Sequence, residues 1–136
     1  MIQSRVNQSM AKKRILIVDD EPEFTRTVKE FLERNGEYEV REENRGANAF
    51  FCAQEFHPDL VLLDVMMLDI DGSEVAEQFR SEDSLSKIPI VFLTGVITKE
   101  EARERGGVIG GFPFLAKPVS LKEIADFIKR SLGTGS

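Results

Sequence analysis

The hydrophobic residues of the chain form short continuous runs that alternate with segments of helical spacing. The runs at residues 15–18, 60–63 and 88–93 are rich in branched side chains, and each is bounded by polar residues. Such runs are typical of strands covered on both faces, as in a parallel sheet. Residues 38–42 alternate apolar and polar side chains, and residues 112–116 include a proline, so we predict both segments as edge strands.

The segments between the runs have apolar residues at helical spacing. We predict helices over residues 23–35, 47–55, 73–81, 99–105 and 120–132. Ser120 and Glu123 form a Ser-x-x-Glu capping box at the start of the last helix. Gly36 supplies a stop for the first helix. A strand–helix unit repeated five times predicts a doubly wound α/β fold with right-handed crossovers.

Length and charge restrict the class of protein. The 136 residues fit one domain, which we place at residues 12–132. Residues 1–11 are expected to be a disordered extension or an artificial remnant of expression, and residues 133–136 a flexible tail. The net charge of −6 argues against binding to nucleic acid or anionic membrane. The single cysteine, Cys52, lies in an apolar stretch and is expected to pack in the core of a protein from a reducing compartment.

Polar residues directly follow the predicted strands. The carboxyl ends of parallel strands lie at one edge of the sheet, where ligands of such folds bind. We therefore expect three carboxylates, one hydroxyl and one ammonium group to converge there: Asp19, Asp20, Asp64, Thr94 and Lys117.

Three clustered carboxylates repel one another and need a compensating cation. Hard oxygen ligands suit Mg²⁺, which binds through one or two carboxylates. With Lys117 offsetting charge and Thr94 donating a hydrogen bond, the edge is suited to phosphoryl transfer. One carboxylate can act as the nucleophile, and Asp64 on the central strand is the best placed.

Five motifs in this order resemble the receiver domains of two-component response regulators over nearly the whole chain. They are Val18-Asp19-Asp20-Glu21-Pro22, the run from Asp59 to Met67 that contains Asp64, Asp71-Gly72, Phe92-Leu93-Thr94-Gly95 and Lys117-Pro118. The resemblance implies a flavodoxin-like sheet of five parallel strands in the order 2-1-3-4-5 with five helices.

The resemblance also implies a role for each matched residue. Asp64 is the expected phosphoacceptor. Mg²⁺ is expected to be held by Asp20 directly, by Asp19 largely through water, by Asp64 and by the backbone carbonyl of Met66. Thr94 and Phe114 are expected to form the conformational switch, Lys117 to pair with the phosphoryl group, and Pro118 to follow a cis peptide bond.

A receiver domain implies certain partners. The expected phosphodonor is a sensor histidine kinase or a histidine phosphotransfer protein in the cytoplasm, and the output partner is not specified by the sequence. The surface of the fourth helix, last strand and last helix is the expected partner surface and allows a homodimer. Beyond self-catalysed phosphoryl transfer and dephosphorylation, no enzyme activity is expected.

The sequence departs from the family pattern at three places. Leu68 stands where the family usually has proline, so the loop after Asp64 is expected to be less rigid. The glycine-rich segment 106–111 is expected to be a loose loop, and it leaves the length and stability of the fourth helix undetermined at the sequence level. Phe114 lacks the hydroxyl of a tyrosine, which excludes a switch step that relies on a tyrosine hydrogen bond.

Other interpretations of the same residues stay open at the sequence level. Asp20 can be a helix N-cap, because Glu23 follows three residues later. A metal-dependent phosphohydrolase of the haloacid dehalogenase type also uses an aspartyl nucleophile, but usually in an Asp-x-Asp pattern after the first strand. A third possibility is an interaction module whose acidic edge is a relic.

Overall fold

The computed structural model describes residues 11–95, 99–104, 108–109 and 111–133. The strands are β1 Lys13–Val18, β2 Tyr38–Glu43, β3 Leu60–Asp64, β4 Ile90–Thr94, β5 Val108–Ile109 and β6 Phe112–Ala116. The helices are α1 Pro22–Glu33, α2 Ala49–Phe56, α3 Gly72–Arg80, α4 Lys99–Glu104 and α5 Leu121–Leu132, with a 3₁₀ turn at Gly46–Asn48. No helix among these residues is long and apolar enough to cross a bilayer.

The strands form one sheet in the order β2-β1-β3-β4-β6-β5. The first five strands of that order run parallel, which confirms the doubly wound fold and the predicted 2-1-3-4-5 arrangement. The pairing Asp64↔Leu93 and the pairing Thr94↔Ala116 place the ends of β3, β4 and β6 side by side. The candidate residues therefore lie at one edge.

Two expectations about the last part of the sheet were wrong. Residues 108–109 of the predicted loose loop form β5, which pairs antiparallel with β6 through Ile109↔Phe112. Gly111 makes the tight turn between them with a φ of +87°, a conformation that glycine adopts without strain. β6 consequently has a neighbour on both sides and is not an edge strand. Residues 105–107 and 110 of these predicted segments lie outside the described residues.

Alternate residues of the central strands face two apolar clusters on opposite sides of the sheet. Leu16, Val61 and Leu63 pack against α2 and α3 in one cluster. Ile17 and Leu62 pack against α1 and α5 in the other. Because both faces are covered, no polar position interrupts these strands, which explains the continuous apolar runs. Cys52 is buried in the first cluster, as expected.

The helix ends follow local capping signals. The predicted capping box of Ser120 and Glu123 is present at the start of α5. The side chain of Asp71 caps α3 by accepting a hydrogen bond from the Ser73 backbone N–H at 2.8 Å. α1 ends two residues earlier than predicted, at Glu33, and Gly36 follows with a φ of +78°. These local signals set where the loops at the carboxyl edge begin.

Candidate acidic site at the carboxyl edge of the sheet

Three aspartates from two neighbouring strands meet at the carboxyl edge. Asp19 and Asp20 follow β1, and Asp64 ends β3. One carboxylate oxygen from each residue lies within 4.8 Å of the other two. Asp19 and Asp64 are buried, with 0% and 5% of their surfaces exposed, whereas Asp20 is partly exposed. The structure thus brings together the three residues that we expected from the sequence to converge.

Lys117 reaches into this cluster from the end of β6. Its Nζ lies 2.8 Å from Asp19 Oδ2 and 3.7 Å from Asp64 Oδ2. Its backbone N–H donates to the Thr94 carbonyl at 2.7 Å, which ties the ends of β4 and β6 together. The Lys117–Pro118 peptide bond is cis, as the resemblance to receiver domains implied.

Burial and crowding alter the protonation of these groups. Burial, with repulsion from Asp19 as the next cause, raises the pKa of Asp64 to about 6. Burial also raises the pKa of Asp19, although Lys117 opposes that rise. Burial acts to lower the pKa of Lys117, but its hydrogen bond and charge attraction to Asp19, together with Asp64 and Glu21, outweigh burial and the pKa is raised. The site therefore holds a charged ammonium group beside carboxylates that repel one another.

This donor set fits a hard divalent cation. The three carboxylates offer oxygen atoms that are close enough to share one ion, and oxygen is the ligand that Mg²⁺ prefers. Lys117 offsets only part of their charge, because Asp64 keeps a raised pKa beside it. A bound cation would relieve the remaining repulsion.

The other predicted residues lie around the cluster. Thr94 is 2% exposed at the end of β4. Met66 follows Asp64 closely, and its backbone N–H donates to Asp64 Oδ1 at 3.3 Å. Phe114 is 4% exposed and lies in the apolar cluster with α2 and α3, so the structure shows an inward position of its ring.

Asp20 is not a helix N-cap. The N-cap of α1 is Glu21, and its side chain makes no capping hydrogen bond. Asp20 Oδ2 instead accepts a hydrogen bond from the backbone N–H of Leu68 at 2.9 Å. Proline has no N–H, so this bond depends on the departure from the family pattern at Leu68. The alternative interpretation of Asp20 was therefore wrong.

Two further residues contact Lys117 that sequence reasoning missed. Glu21 Oε1 lies 3.3 Å from its Nζ, and the Phe24 ring centroid lies 4.9 Å from the same atom. Glu21 directly follows the two aspartates, so its position was a usable signal. Nothing else in the sequence distinguished its carboxylate from that of an ordinary loop residue. Phe24 lies in the helix predicted over residues 23–35, and helical spacing does not report a contact with a distant strand.

Gly72 allows α3 to begin directly against the end of β3. A Cβ atom at this position would overlap the backbone carbonyl oxygen of Asp64 and lie 2.9 Å from the Val65 Cα. The Gly72 N–H donates to the Val65 carbonyl at 2.7 Å. The glycine of the Asp-Gly motif is thus explained by a close approach of two backbones.

Comparisons with known proteins agree with this geometry. Residues 15–129 match the family model described as "Response regulator receiver domain". The polar-differentiation response regulator DivK of Brucella ovis is 31% identical over 122 residues, which cover 89% of this chain and 97% of DivK. Chemotaxis protein CheY4 of Vibrio cholerae has a TM-score of 0.74 and 27% identity, with 88% of this chain and 98% of that chain covered.

A second solved structure gives the same result at higher identity. The N-terminal domain of a response regulator receiver protein from Methanoculleus marisnigri JR1 is 32% identical, with a TM-score of 0.64 and coverage of 88% and 95% of the two chains. Fold, sequence and family model agree over nearly the whole chain, and we conclude that this chain belongs to the response regulator receiver domain family.

Proposed function

We propose that this chain is a phosphorylation switch in which Asp64 accepts a phosphoryl group from a sensor histidine kinase or a histidine phosphotransfer protein. The observation that supports this most directly is the convergence of Asp19, Asp20 and Asp64 with Lys117 at one edge of the sheet. The family supports phosphoryl acceptance in general terms, and the roles of individual residues are our assignment.

The proposed step is an in-line transfer from a donor nitrogen to an acceptor oxygen. An oxygen of the ionised Asp64 carboxylate forms a bond to phosphorus while the P–N bond to the partner's phosphohistidine breaks. The electron pair of that bond stays on the histidine nitrogen. Lys117, whose Nζ lies 3.7 Å from Asp64 Oδ2, stabilises the charge on the phosphoryl oxygens. With a pKa of about 6, Asp64 is mostly ionised at neutral pH.

We assign the proposed Mg²⁺ ligands to Asp19, Asp20, Asp64 and the backbone carbonyl of Met66. When bound, the ion would supply positive charge for the carboxylates and the incoming phosphoryl oxygens. Asp19 accepts hydrogen bonds on both oxygens, from the Glu21 N–H at 3.0 Å and from Lys117 at 2.8 Å. This supports the expectation that Asp19 acts on the ion largely through water.

The phosphoryl group adds up to about two negative charges at the site. We propose that the Thr94 hydroxyl moves toward that charge and that Phe114 changes its packing in response. The surface of α4, β6 and α5 would then bind an output partner or a second copy of the chain. We place this activity in the cytoplasm, without turnover of a separate substrate.

The decisive experiment is phosphorylation followed by intact-mass analysis. The chain is incubated with Mg²⁺ and acetyl phosphate, and we expect a mass gain of one phosphoryl group. Asp64→Asn should show no gain, whereas Asp83→Asn, which changes an exposed aspartate after α3, should match the unsubstituted chain. An equal gain in Asp64→Asn would contradict the proposal. Sustained hydrolysis of a small phosphate ester would instead favour a phosphohydrolase.

A further inference from the structure

The end of β2 holds the turn that carries two of the aspartates. Asn44 directly follows β2, and its Nδ2 donates to the backbone carbonyl of Asp19 at 2.8 Å. The backbone N–H of Asp19 donates to the Glu43 carbonyl at 3.1 Å. Both main-chain polar groups of Asp19 are therefore bonded to consecutive residues of one segment. These bonds fix the peptide units on both sides of the Asp19 side chain.

A second connection runs from Asn44 to α1 through Thr25. Asn44 Nδ2 also donates to Thr25 Oγ1 at 3.0 Å, and Thr25 is fully buried. The Thr25 hydroxyl lies 2.7 Å from Glu42 Oε1 and 3.1 Å from the Pro22 carbonyl. Because a hydroxyl has one proton, it donates to the carboxylate, which is the nearer and stronger acceptor.

The network opposes a force that the acidic cluster creates. Asp19 and Asp64 are both buried, and one carboxylate oxygen of each lies within 4.8 Å of the other, so their charges repel at short range. Repulsion would separate the turn after β1 from the end of β3. Satisfied hydrogen bonds in a partly buried network are strong and directional, so they can keep the turn in place.

We propose that Asn44 and Thr25 are positioning residues that hold Asp19 and Asp20 in the arrangement needed to bind a divalent cation. They act on Asp19 through its backbone and through the first turn of α1. The proposal rests on the proposed Mg²⁺-dependent function and adds two residues to it. Asn44 directly follows a strand, so the rule that identified the aspartates applies to it as well.

The test measures Mg²⁺ affinity by calorimetric titration, without a phosphodonor. Asn44→Ala and Thr25→Val each remove part of the network, and we expect each to weaken Mg²⁺ binding about tenfold, as losing a residue that orients a metal ligand typically does. Thr25→Ser keeps the hydroxyl and should restore affinity close to that of the unsubstituted chain. Asn44 is only half-buried, so Asn44→Ala carries the test independently of the buried Thr25→Val change.

Val40→Ala is the matched control for a general loss of stability. Val40 is 3% exposed on the same strand and lies in the apolar cluster with α1 and α5. Its truncation should lower the unfolding temperature and leave Mg²⁺ affinity unchanged. If Asn44 has a positioning role, Asn44→Ala lowers Mg²⁺ affinity and Val40→Ala does not. If its role were merely structural, both variants would change Mg²⁺ affinity only as far as they lower the unfolding temperature.

The possible results distinguish the two proposals. If the unsubstituted chain binds Mg²⁺ and folded Asn44→Ala binds it equally well, the positioning role is overturned and the proposed function stands. If Thr25→Ser binds Mg²⁺ as weakly as Thr25→Val does, the Thr25 hydroxyl is excluded as the source of the loss in affinity. If the unsubstituted chain does not bind Mg²⁺, both proposals are overturned.

Discussion

Asp64 is the residue at which burial and charge conflict most strongly. Its side chain is 8% exposed, and burial with the neighbouring Asp19 raises its pKa to about 6. The native state therefore holds the Asp64 proton more tightly than the unfolded chain does. Free energy of unfolding is consequently lost as the pH rises from the ordinary value of 3.8 toward 6.

We expect Asp64→Asn to stabilise the metal-free protein at pH 7. The amide removes the buried charge, and the gain in free energy of unfolding should be about 3 kcal/mol, the order given by the pKa shift. The gain should shrink as the pH falls from about 6 toward 4 and be absent below about 4, where Asp64 is protonated in both the folded and the unfolded state. Urea unfolding across this pH range with a chelator present measures it. A gain independent of pH would contradict the charge explanation.

Gly72 is a second residue that affects stability, because its position has no room for a Cβ atom. Gly72→Ala would place a methyl group against the Asp64 carbonyl, so α3 or the end of β3 must shift. We expect a loss of about 2 kcal/mol in free energy of unfolding, as overpacking of a tight contact produces. Glu77→Ala, on the exposed face of the same helix, is the control and should be close to neutral. Equal free energies of unfolding for the two variants would show that the close contact between position 72 and the Asp64 carbonyl does not constrain stability.

At the scale of elements, the loop between β3 and α3 is tied at two points. The Leu68 N–H bonds to Asp20, and the Asp69 carboxylate accepts hydrogen bonds from the backbone N–H groups of Gly46 at 3.2 Å and Ala47 at 2.9 Å. The loop thus connects a candidate metal ligand to the 3₁₀ turn before α2. The expectation of a less rigid loop stays a prediction, but the missing proline is accompanied by a hydrogen bond that proline cannot make.

The bond between Leu68 and Asp20 can be tested by comparing two substitutions. Leu68→Pro removes the N–H donor, whereas Leu68→Ala keeps it and removes only a side chain that is 96% exposed. We expect Leu68→Pro to bind Mg²⁺ about fivefold more weakly than Leu68→Ala, because fixing the released Asp20 side chain costs about 1 kcal/mol. Calorimetric titration measures both. Equal affinities would mean that the bond does not orient Asp20.

At the scale of the whole molecule, an acidic chain concentrates unfavourable charge at one edge of its sheet. The net charge is −6, and the three clustered aspartates belong to the segments that follow β1 and end β3 at the centre of the fold. An ion that binds the native cluster and not the unfolded chain must stabilise the entire fold by mass action. Stability should therefore report occupancy of the site.

We expect Mg²⁺ to raise the free energy of unfolding by about 2.7 kcal/mol at a concentration one hundred times its dissociation constant. Thermal unfolding with increasing Mg²⁺ measures the effect. Potassium chloride at equal ionic strength controls for screening of the net charge. Asp20→Asn should lose most of the increase. An increase of the same size with potassium chloride alone would contradict specific binding.

The sequence by itself determined the five parallel strands of the sheet and most of the residues at its carboxyl edge. Continuous apolar runs indicated strands buried on both faces, and the polar residue after each run was then placed at the common carboxyl edge. This reasoning brought together Asp19, Asp20, Asp64 and Lys117 before any contact between them was known. It succeeds because the buried positions of a strand or helix appear as a regular spacing of apolar residues, and that spacing can be read from a short stretch of sequence.

Only the tertiary structure decided the bonds that link the loops. Asn44 and Asp19 are 25 residues apart, Leu68 and Asp20 are 48 apart, and Lys117 and Glu21 are 96 apart. The antiparallel strand β5 has two residues, too few to show a period. Side-chain to backbone hydrogen bonds across loops leave no periodic pattern in the sequence. They depend on how separate segments meet in space, so they became visible only once the chain was folded.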